Sequence, residues 1–150
     1  MIGVVSALYR LSLPRRLVNA LVRPLIRLGL SGQMHVLLVP GRTTGRLHST
    51  PVKLVERDGA RWLVAPYGER SWVKNAKAAG WVELRKGRRA ERVWIAAAAP
   101  SAAGPVLRDY LRSTPFTQRF FDVRADSPLE AYVAEAPRHP VFRIGPPVDG

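Results

Sequence analysis

Apolar residues between positions 34 and 97 fall into five short segments separated by turn-forming residues, a pattern typical of β-strands. We predict strands at residues 34–39, 50–56, 61–65, 81–85 and 89–97. Asp58–Gly59 and Gly87 supply hairpin turns, and a helix from about Ser71 to Ala79 lies between the hairpins. Two antiparallel hairpins with one intervening helix predict an α+β fold built on a small β-barrel.

Helical spacing returns on both sides of this region. Residues 7–30 are predicted to be helical and carry one apolar stripe, and the arginines lie mainly off it. The stripe comprises Leu17, Val18, Leu21, Val22, Leu25 and Leu28. Such a helix packs on the barrel, covers a ligand site as a lid, or rests on an anionic membrane; packing on a core is the common case. Further along the chain we predict helices at 106–112, 117–121 and 129–135, and a last strand at 139–144.

Length and charge narrow the class of protein. The 150 residues predict one domain over 1–150, divided into the N-terminal helix (1–30), the barrel core (34–99) and a helical part with the last strand (103–145). The chain has no cysteine, which excludes thiolate nucleophiles and cysteine-ligated metals. Its formal net charge is +13 and no acidic residue precedes Glu56, so we expect an acidic partner.

An anionic membrane and a nucleic acid are the two acidic macromolecules that could bind this charge. No apolar run is long enough to span a bilayer, so we predict a cytoplasmic protein, with peripheral contact between residues 7–30 and an anionic membrane as an alternative. The basic cluster at 85–89 would suit nucleic acid, but no aromatic residues interleave with it and no nucleic-acid motif is present. We therefore interpret the cluster as an exposed hairpin tip that protects a barrel edge.

A first chemical motif follows the first predicted strand and comprises Gly41, Arg42, Thr43, Thr44 and Gly45. Glycine permits positive φ and a close approach of the backbone to a ligand. Hydroxyls, turn N–H groups and a guanidinium together suit a phosphate or a carboxylate. Taken alone, the segment also fits an ordinary solvated turn.

A second motif ends the third predicted strand in a small-residue turn and then begins a helix; it comprises Ala65, Pro66, Tyr67, Gly68, Trp72 and Asn75. The start of a helix offers free N–H groups, which favour an anion. Alone, Trp72 would be expected in the core and Asn75 would be an ordinary polar helix residue. The two motifs in this order and spacing favour a binding site.

The pair of motifs resembles the deazaflavin-dependent nitroreductase family, over residues 34–99 well and over the C-terminal part loosely. That family carries a Gly-Arg-basic-Ser/Thr-Gly-x-x-Arg-x-x-Pro segment, matched here by Gly41 to Gly45, His48 and Pro51, followed by a turn, a Trp and an Asn. Thr43 stands where a lysine or arginine is usual, and His48 where an arginine is usual. Both differences predict weaker charge pairing with a phosphate.

The resemblance implies a split β-barrel with peripheral helices, and coenzyme F420 as the cofactor. In the family, the reduced deazaflavin gives a hydride from ring carbon C5 to a quinone, a nitro compound or a similar acceptor. Since the cofactor carries the chemistry, neither a catalytic residue nor a metal is expected. The implied cofactor-binding residues are Arg42, Thr43, Thr44, His48, Ser49, Thr50, Pro51, Val52, Val64, Ala65, Pro66, Tyr67, Ser71, Trp72, Val73, Lys74 and Asn75.

Alternatives on the same barrel stay open. One is a non-catalytic carrier of a fatty acid or another apolar ligand, which the changes at Thr43 and His48 favour. Another is a barrel that binds FMN or haem, for which His35 and His139 are the spare histidines. Both a monomer and a homodimer are compatible with the sequence.

Overall fold

The computed structural model describes residues 34–148, so the predictions for residues 7–30 lie outside the described residues. The strands are β1 (Met34–Pro40), β2 (Leu47–Arg57), β3 (Ala60–Val64), β4 (Trp81–Lys86), β5 (Arg89–Ala97) and β6 (Val141–Pro147). The α-helices are α1 (Ser71–Ala79), α2 (Pro100–Ser113) and α3 (Leu129–Glu135), and two 3-10 helices span Pro115–Phe120 and Ala136–Arg138. Within residues 34–148, none of the helices is both long and apolar enough to cross a membrane.

The six strands form a closed antiparallel barrel in the order β1-β2-β3-β6-β5-β4. This confirms the predicted barrel and its α+β class. Closure pairs every strand on both sides, so no strand of the barrel leaves a row of unpaired backbone groups along its whole length.

Two apolar cores lie on the two sides of the sheet, because successive strand residues point to opposite faces. The barrel interior is filled by large side chains that include Leu37, Leu54, Leu63, Leu84 and Phe142, together with Trp72 and Val73 from α1. A second core lies between the outer face of the barrel and the C-terminal helices, and includes Val64, Leu107, Tyr110, Phe121 and Tyr132. The fold is thus a packed barrel covered on one side by helices.

Several element bounds differ from those predicted. Strand β2 begins at residue 47 rather than 50, because its register with β1 continues as far as the pair Pro40 and Leu47. Strand β6 runs to Pro147, three residues past the predicted end at residue 144, since Pro147 lies opposite Val93 and the Val148 N–H donates to the Arg92 carbonyl at 2.9 Å.

The C-terminal helices differ in start and in type. Helix α2 starts at Pro100, ahead of the predicted helix at 106–112, and proline suits this first helical position. The predicted helix at 117–121 is a 3-10 helix over Pro115–Phe120. Helices α1 and α3 have the predicted bounds, and Gly80 ends α1 with φ of 79°.

Close packing of α2 on α3 requires a glycine, which generates a stability prediction. A Cβ at Gly104 would lie 2.7 Å from Val133 Cγ2 and 3.1 Å from the Val133 backbone nitrogen. We expect Gly104→Val to lower the free energy of unfolding by about 1–3 kcal/mol, because the helices would have to separate. Urea denaturation measures the change.

The matched control for this substitution is Ala102→Val, which places the same side chain at an exposed position of the same helix. It carries the helix-propensity cost of valine without a contact with α3. Equal losses in the two variants would contradict the packing explanation.

Candidate functional site

The two sequence motifs meet in space through a contact between Arg42 and Asn75. Both the Arg42 backbone N–H and its Nη1 donate to Asn75 Oδ1, at 3.2 and 2.7 Å. Asn75 lies on α1 and is only 5% exposed, whereas Arg42 is exposed in the loop between β1 and β2. One buried amide oxygen therefore fixes both the loop and the direction of its guanidinium.

The loop of residues 41–46 folds back on itself. The Gly41 N–H donates to the Arg46 carbonyl at 2.7 Å, and the Gly45 N–H donates to the Gly41 carbonyl at 2.9 Å. Gly45 has φ of 73°, which favours glycine. The side chains of Arg42, Thr43, Thr44 and Arg46 are exposed, so this tight turn presents two guanidinium groups and two hydroxyls to solvent.

His48 lies over the start of this loop. A Cβ at Gly41 would be 3.0 Å from His48 Nε2 and 3.3 Å from Thr44 Oγ1. Gly41 is therefore the residue that allows the imidazole to approach the loop. The histidine that replaces the usual family arginine thus lies beside the predicted anion-binding turn.

Helix α1 begins beside the same loop. Its first turn contains no acidic residue and no side chain caps it. Ser71 and Lys74 are exposed there, and Arg42 Nη1 approaches the Ser71 carbonyl at 3.5 Å. The positive end of the helix dipole therefore adds to the positive charge of the loop, which suits an anionic group.

The turn at residues 65–68, which holds part of the second motif, is fixed by two backbone hydrogen bonds. The Ala65 N–H donates to the Pro140 carbonyl at 2.9 Å, and the Gly68 N–H donates to the Ala65 carbonyl at 3.2 Å. The Tyr67 ring packs edge-to-face against Phe120, with 4.5 Å between centroids. Burial raises the pKa of the Tyr67 phenol to about 12, so the hydroxyl keeps its proton at neutral pH.

The buried His139 anchors the turn of residues 65–68. His139 Nδ1 lies 2.8 Å from the Pro66 carbonyl oxygen, and Nε2 lies 2.8 Å from Glu135 Oε2. A carbonyl only accepts, so Nδ1 carries a hydrogen and donates to Pro66. The ring is 3% exposed and stacks on Phe121 with 4.0 Å between centroids. His139 therefore ties the C-terminal helices to the turn that carries Tyr67.

Sequence reasoning gave neither His139 nor Glu135 a part in this region. The one available signal was their spacing of four residues, which brings side chains together at a helix end. The contact between Phe120 and Tyr67 joins residues 53 positions apart, so the local sequence pattern could not predict it.

Most of the other predicted site residues are buried. The side chains of five of them are buried in the two cores: Val52, Val64, Ala65, Trp72 and Val73. Trp72 packs near Phe142, with 6.4 Å between ring centroids. Ser49 and Pro66 are also buried, whereas Thr50 and Pro51 are partly exposed. Their cofactor contacts stay predictions, and for the buried residues only backbone atoms would serve.

The basic cluster at 85–89 lies in the hairpin of β4 and β5, where its first arginine and the nearby Arg92 contact a buried acid. Arg85 and Arg92 both bind the carboxylate of buried Glu83, at 2.6 and 3.2 Å. Arg92 also lies over the Trp81 ring, 4.7 Å from its centroid. These arginines therefore satisfy a buried acid on β4, in agreement with the interpretation of the cluster as part of a hairpin.

The comparison with protein families agrees with the cofactor class that the two motifs suggest. The model of the F420H(2)-dependent quinone reductase family matches residues 16–141. A search of curated proteins gives no match.

Solved structures show the same fold at low sequence identity. An F420-H2 dependent reductase superposes with a TM-score of 0.53 at 18% identity, over 75% of this chain and 93% of that one. A conserved hypothetical protein from Mycobacterium tuberculosis gives 0.53 at 13% identity, over 81% and 78%. A haem storage protein from Vibrio cholerae gives 0.53 at 10% identity, over 85% and 90%. The chain therefore has the split β-barrel fold.

The contacts of His139 generate a second prediction. We expect His139→Ala to lower the free energy of unfolding by about 2–4 kcal/mol, because it removes two hydrogen bonds and leaves the buried Glu135 with one partner fewer. Urea denaturation measures the loss, and hydrogen exchange at the Gly68 amide reports whether the turn loosens with it.

The neighbouring Arg138→Ala serves as the control. Arg138 Nη1 also lies near Glu135, at 3.8 Å from Oε1, but its side chain is exposed. Water and salt screen exposed ion pairs, so we expect a smaller loss. If His139→Ala left the free energy of unfolding unchanged, or if Arg138→Ala lowered it equally, the buried ring would not be what holds the turn.

Proposed function

The chain belongs to the F420H2-dependent quinone reductase family and is an F420-dependent oxidoreductase, and from this premise we propose that it passes a hydride from reduced coenzyme F420 to a quinone or a nitro compound. A quinone is the first choice of acceptor because the family description specifies it. When bound, the cofactor supplies the hydride; the protein supplies binding, orientation and electrostatics.

The observation that carries the proposal is the Arg42–Asn75 contact. It places an exposed guanidinium, the hydroxyls of Thr43 and Thr44, and the start of α1 around one loop. Every charged side chain of residues 34–55 is basic. This donor set fits the phosphate and carboxylates of the F420 tail, because anions favour guanidinium forks, backbone N–H groups and helix N-termini.

The two departures from the family pattern leave enough charge for this task. Thr43 contributes a hydroxyl instead of a charge, and His48 lies against the loop at Gly41. Arg46, Arg70 and Lys74 are exposed around the same loop and helix start. We propose that these three cations, with Arg42, replace the charge that is missing at positions 43 and 48.

The turn of residues 65–68 would form the edge of the site where the acceptor binds. Tyr67 and Phe120 form an aromatic corner at the end of β3, and Tyr110 is buried close by in the second core. A flat aromatic or quinonoid acceptor would pack against such rings and displace water. The neutral Tyr67 hydroxyl adds a hydrogen-bond donor at this corner.

The alternatives gain less support from the described residues. The barrel interior is filled by side chains such as Leu37, Leu63 and Phe142, so an apolar ligand would need a site outside it. A haem ligated by His139 would require the ring to leave both of its hydrogen-bond partners. FMN also carries a phosphate that would suit the loop, so it remains the comparison ligand.

The direct test is calorimetric titration of the full chain with coenzyme F420, FMN and a fatty acid, followed by spectroscopic assays of F420H2 oxidation with quinones and nitro compounds. We expect tight binding to the deazaflavin alone and faster turnover with quinones. Turnover with nitro compounds but not quinones would overturn the choice of acceptor. Uptake of fatty acid or FMN without F420 binding would overturn the proposed reaction.

Substitution of Arg42 and Asn75 tests the site itself. We expect Arg42→Ala to weaken F420 binding by about 1.5–3 kcal/mol, the scale of a charge-assisted hydrogen bond. Asn75→Ala should weaken it less, because the guanidinium is retained but loses its orienting partner. The double variant should be no worse than Arg42→Ala, since the two residues act as one unit. Calorimetry supplies all four affinities.

Arg88→Ala is the charge-matched control, because Arg88 is an exposed arginine in the turn between β4 and β5. It removes the same charge without touching the loop. Additive losses in the double variant, or an equal loss from Arg88→Ala, would contradict a specific Arg42–Asn75 site and indicate only a general electrostatic effect.

A further inference from the structure

Three large hydrophobic side chains are strongly exposed within residues 34–148, and two of them share one short turn. Phe116 is 49% exposed and Phe120 is 36% exposed, both in the 3-10 helix Pro115–Phe120, which we call the aromatic turn. The third, Trp94 at 46%, lies on β5. A single exposed aromatic residue is ordinary, but a pair on one turn beside a candidate site indicates an interaction surface.

The aromatic turn is held firmly from its inner side. Thr114 and Thr117 are buried; Thr114 Oγ1 donates to the Tyr110 carbonyl at 2.5 Å, and Thr117 Oγ1 donates to the Thr114 carbonyl at 2.7 Å. A 3-10 helix has three residues per turn, so Phe116 and Arg119 share one outward side. The buried threonines therefore turn Phe116 and Arg119 outward together, and both residues are exposed.

The surface around the turn is positive. Lys53 donates to the Ser113 carbonyl at 3.3 Å, Arg112 donates to the Ala125 carbonyl at 3.4 Å, and the Arg119 guanidinium lies over the Phe120 ring at 4.9 Å. Arg70 joins the group through the Tyr67 carbonyl, at 3.3 Å.

None of these four cations forms an ion pair with a carboxylate of residues 34–148. The acids closest in sequence to Arg70, Arg112 and Arg119 are already paired: Glu69 with Lys77, Asp109 with Arg57 and Asp122 with Arg138. The charge of this surface is therefore available to an external anion.

We propose that the aromatic turn, with Lys53, Arg112 and Arg119, docks on an anionic lipid surface. Phenyl rings beside arginines suit the boundary between headgroups and acyl chains, where the ring leaves water and the guanidinium binds phosphate. The bilayer is favoured over single-stranded nucleic acid because Arg119 covers one face of Phe120 and Tyr67 packs against that ring, which leaves a poor platform for stacked bases.

Docking would set the Tyr67–Phe120 corner at the lipid boundary, where an apolar quinone resides. The docking itself does not depend on the cofactor; only this delivery of the acceptor from the lipid phase rests on the proposed function. The two are separable, because vesicle binding and F420 binding are measured independently on the same protein.

The test is a vesicle sedimentation titration of the full chain with the double variant Phe116→Ser/Arg119→Gln. Vesicles contain equal parts of phosphatidylcholine and phosphatidylglycerol. We expect the partition coefficient to fall by about tenfold, since one arginine near an anionic surface contributes about fivefold and the phenyl ring adds to it. F420 affinity of the variant should match that of the wild type, which shows that fold and site are intact.

The matched control is Trp94→Ser/Arg88→Gln, which removes an exposed aromatic ring and one positive charge from β5 and its hairpin. It should lose at most the fivefold that its charge contributes. An unchanged partition of the Phe116→Ser/Arg119→Gln variant, or an equal loss in the control, would overturn the proposal. So would equal wild-type binding to vesicles of phosphatidylcholine alone.

Depth of insertion provides a second readout. In a Phe116→Trp variant, acyl chains labelled with bromine should quench the added fluorescence, whereas the wild type should show less quenching. Absence of added quenching would exclude insertion of the turn. A single-stranded oligonucleotide is titrated in parallel, and binding to it without vesicle binding would reassign the surface to nucleic acid.

Discussion

Strand β6 is the constraint on which both the barrel and the candidate site depend. It pairs with β3 on one side and with β5 on the other, and so closes the sheet. Its pairing with β3 continues beyond the strand, where the Pro140 carbonyl accepts from Ala65 and His139 donates to Pro66. The contact that completes the barrel thus also sets the turn that carries Tyr67. A substitution at this end of β6 would therefore affect stability and ligand binding together.

Helix α1 extends the same coupling to the other half of the site. Trp72 and Val73 are packed in the barrel core, so the helix is anchored by apolar contacts at the end of the barrel. One turn further along, Asn75 reaches the loop of residues 41–46 and holds Arg42. Burial of a Trp-sized side chain is worth about 2–3 kcal/mol, more than a hydrogen bond at about 1 kcal/mol, so core packing sets the helix position and the polar contact follows from it.

The charged side chains matter mainly at the places where basic residues have no acidic partner. Seven of the eleven acidic residues lie in ion pairs among the described residues, at Asp58, Glu69, Glu83, Glu91, Asp109, Asp122 and Glu135. Most of these pairs are partly exposed and contribute little to stability. These pairs neutralise other parts of the described surface, so part of the surplus positive charge of residues 34–148 lies at the loop of residues 41–46 and around the aromatic turn.

Sequence patterns revealed what is local and missed what depends on distant pairing. The bounds of α1 could be predicted because helical spacing and Gly80 lie within one segment. The extension of β6 through Pro147 could not, because prolines usually end a strand and only the register with β5 keeps this one in the sheet. The motifs predicted Arg42 and Asn75 as site residues, yet not that one orients the other across 33 positions. His139 looked like a spare ligand for a related reason: its partner Glu135 is four residues away, but its partner Pro66 is 73 residues away and cannot be read from the local pattern. A buried histidine with both ring nitrogens occupied acts as a structural tie rather than as a ligand.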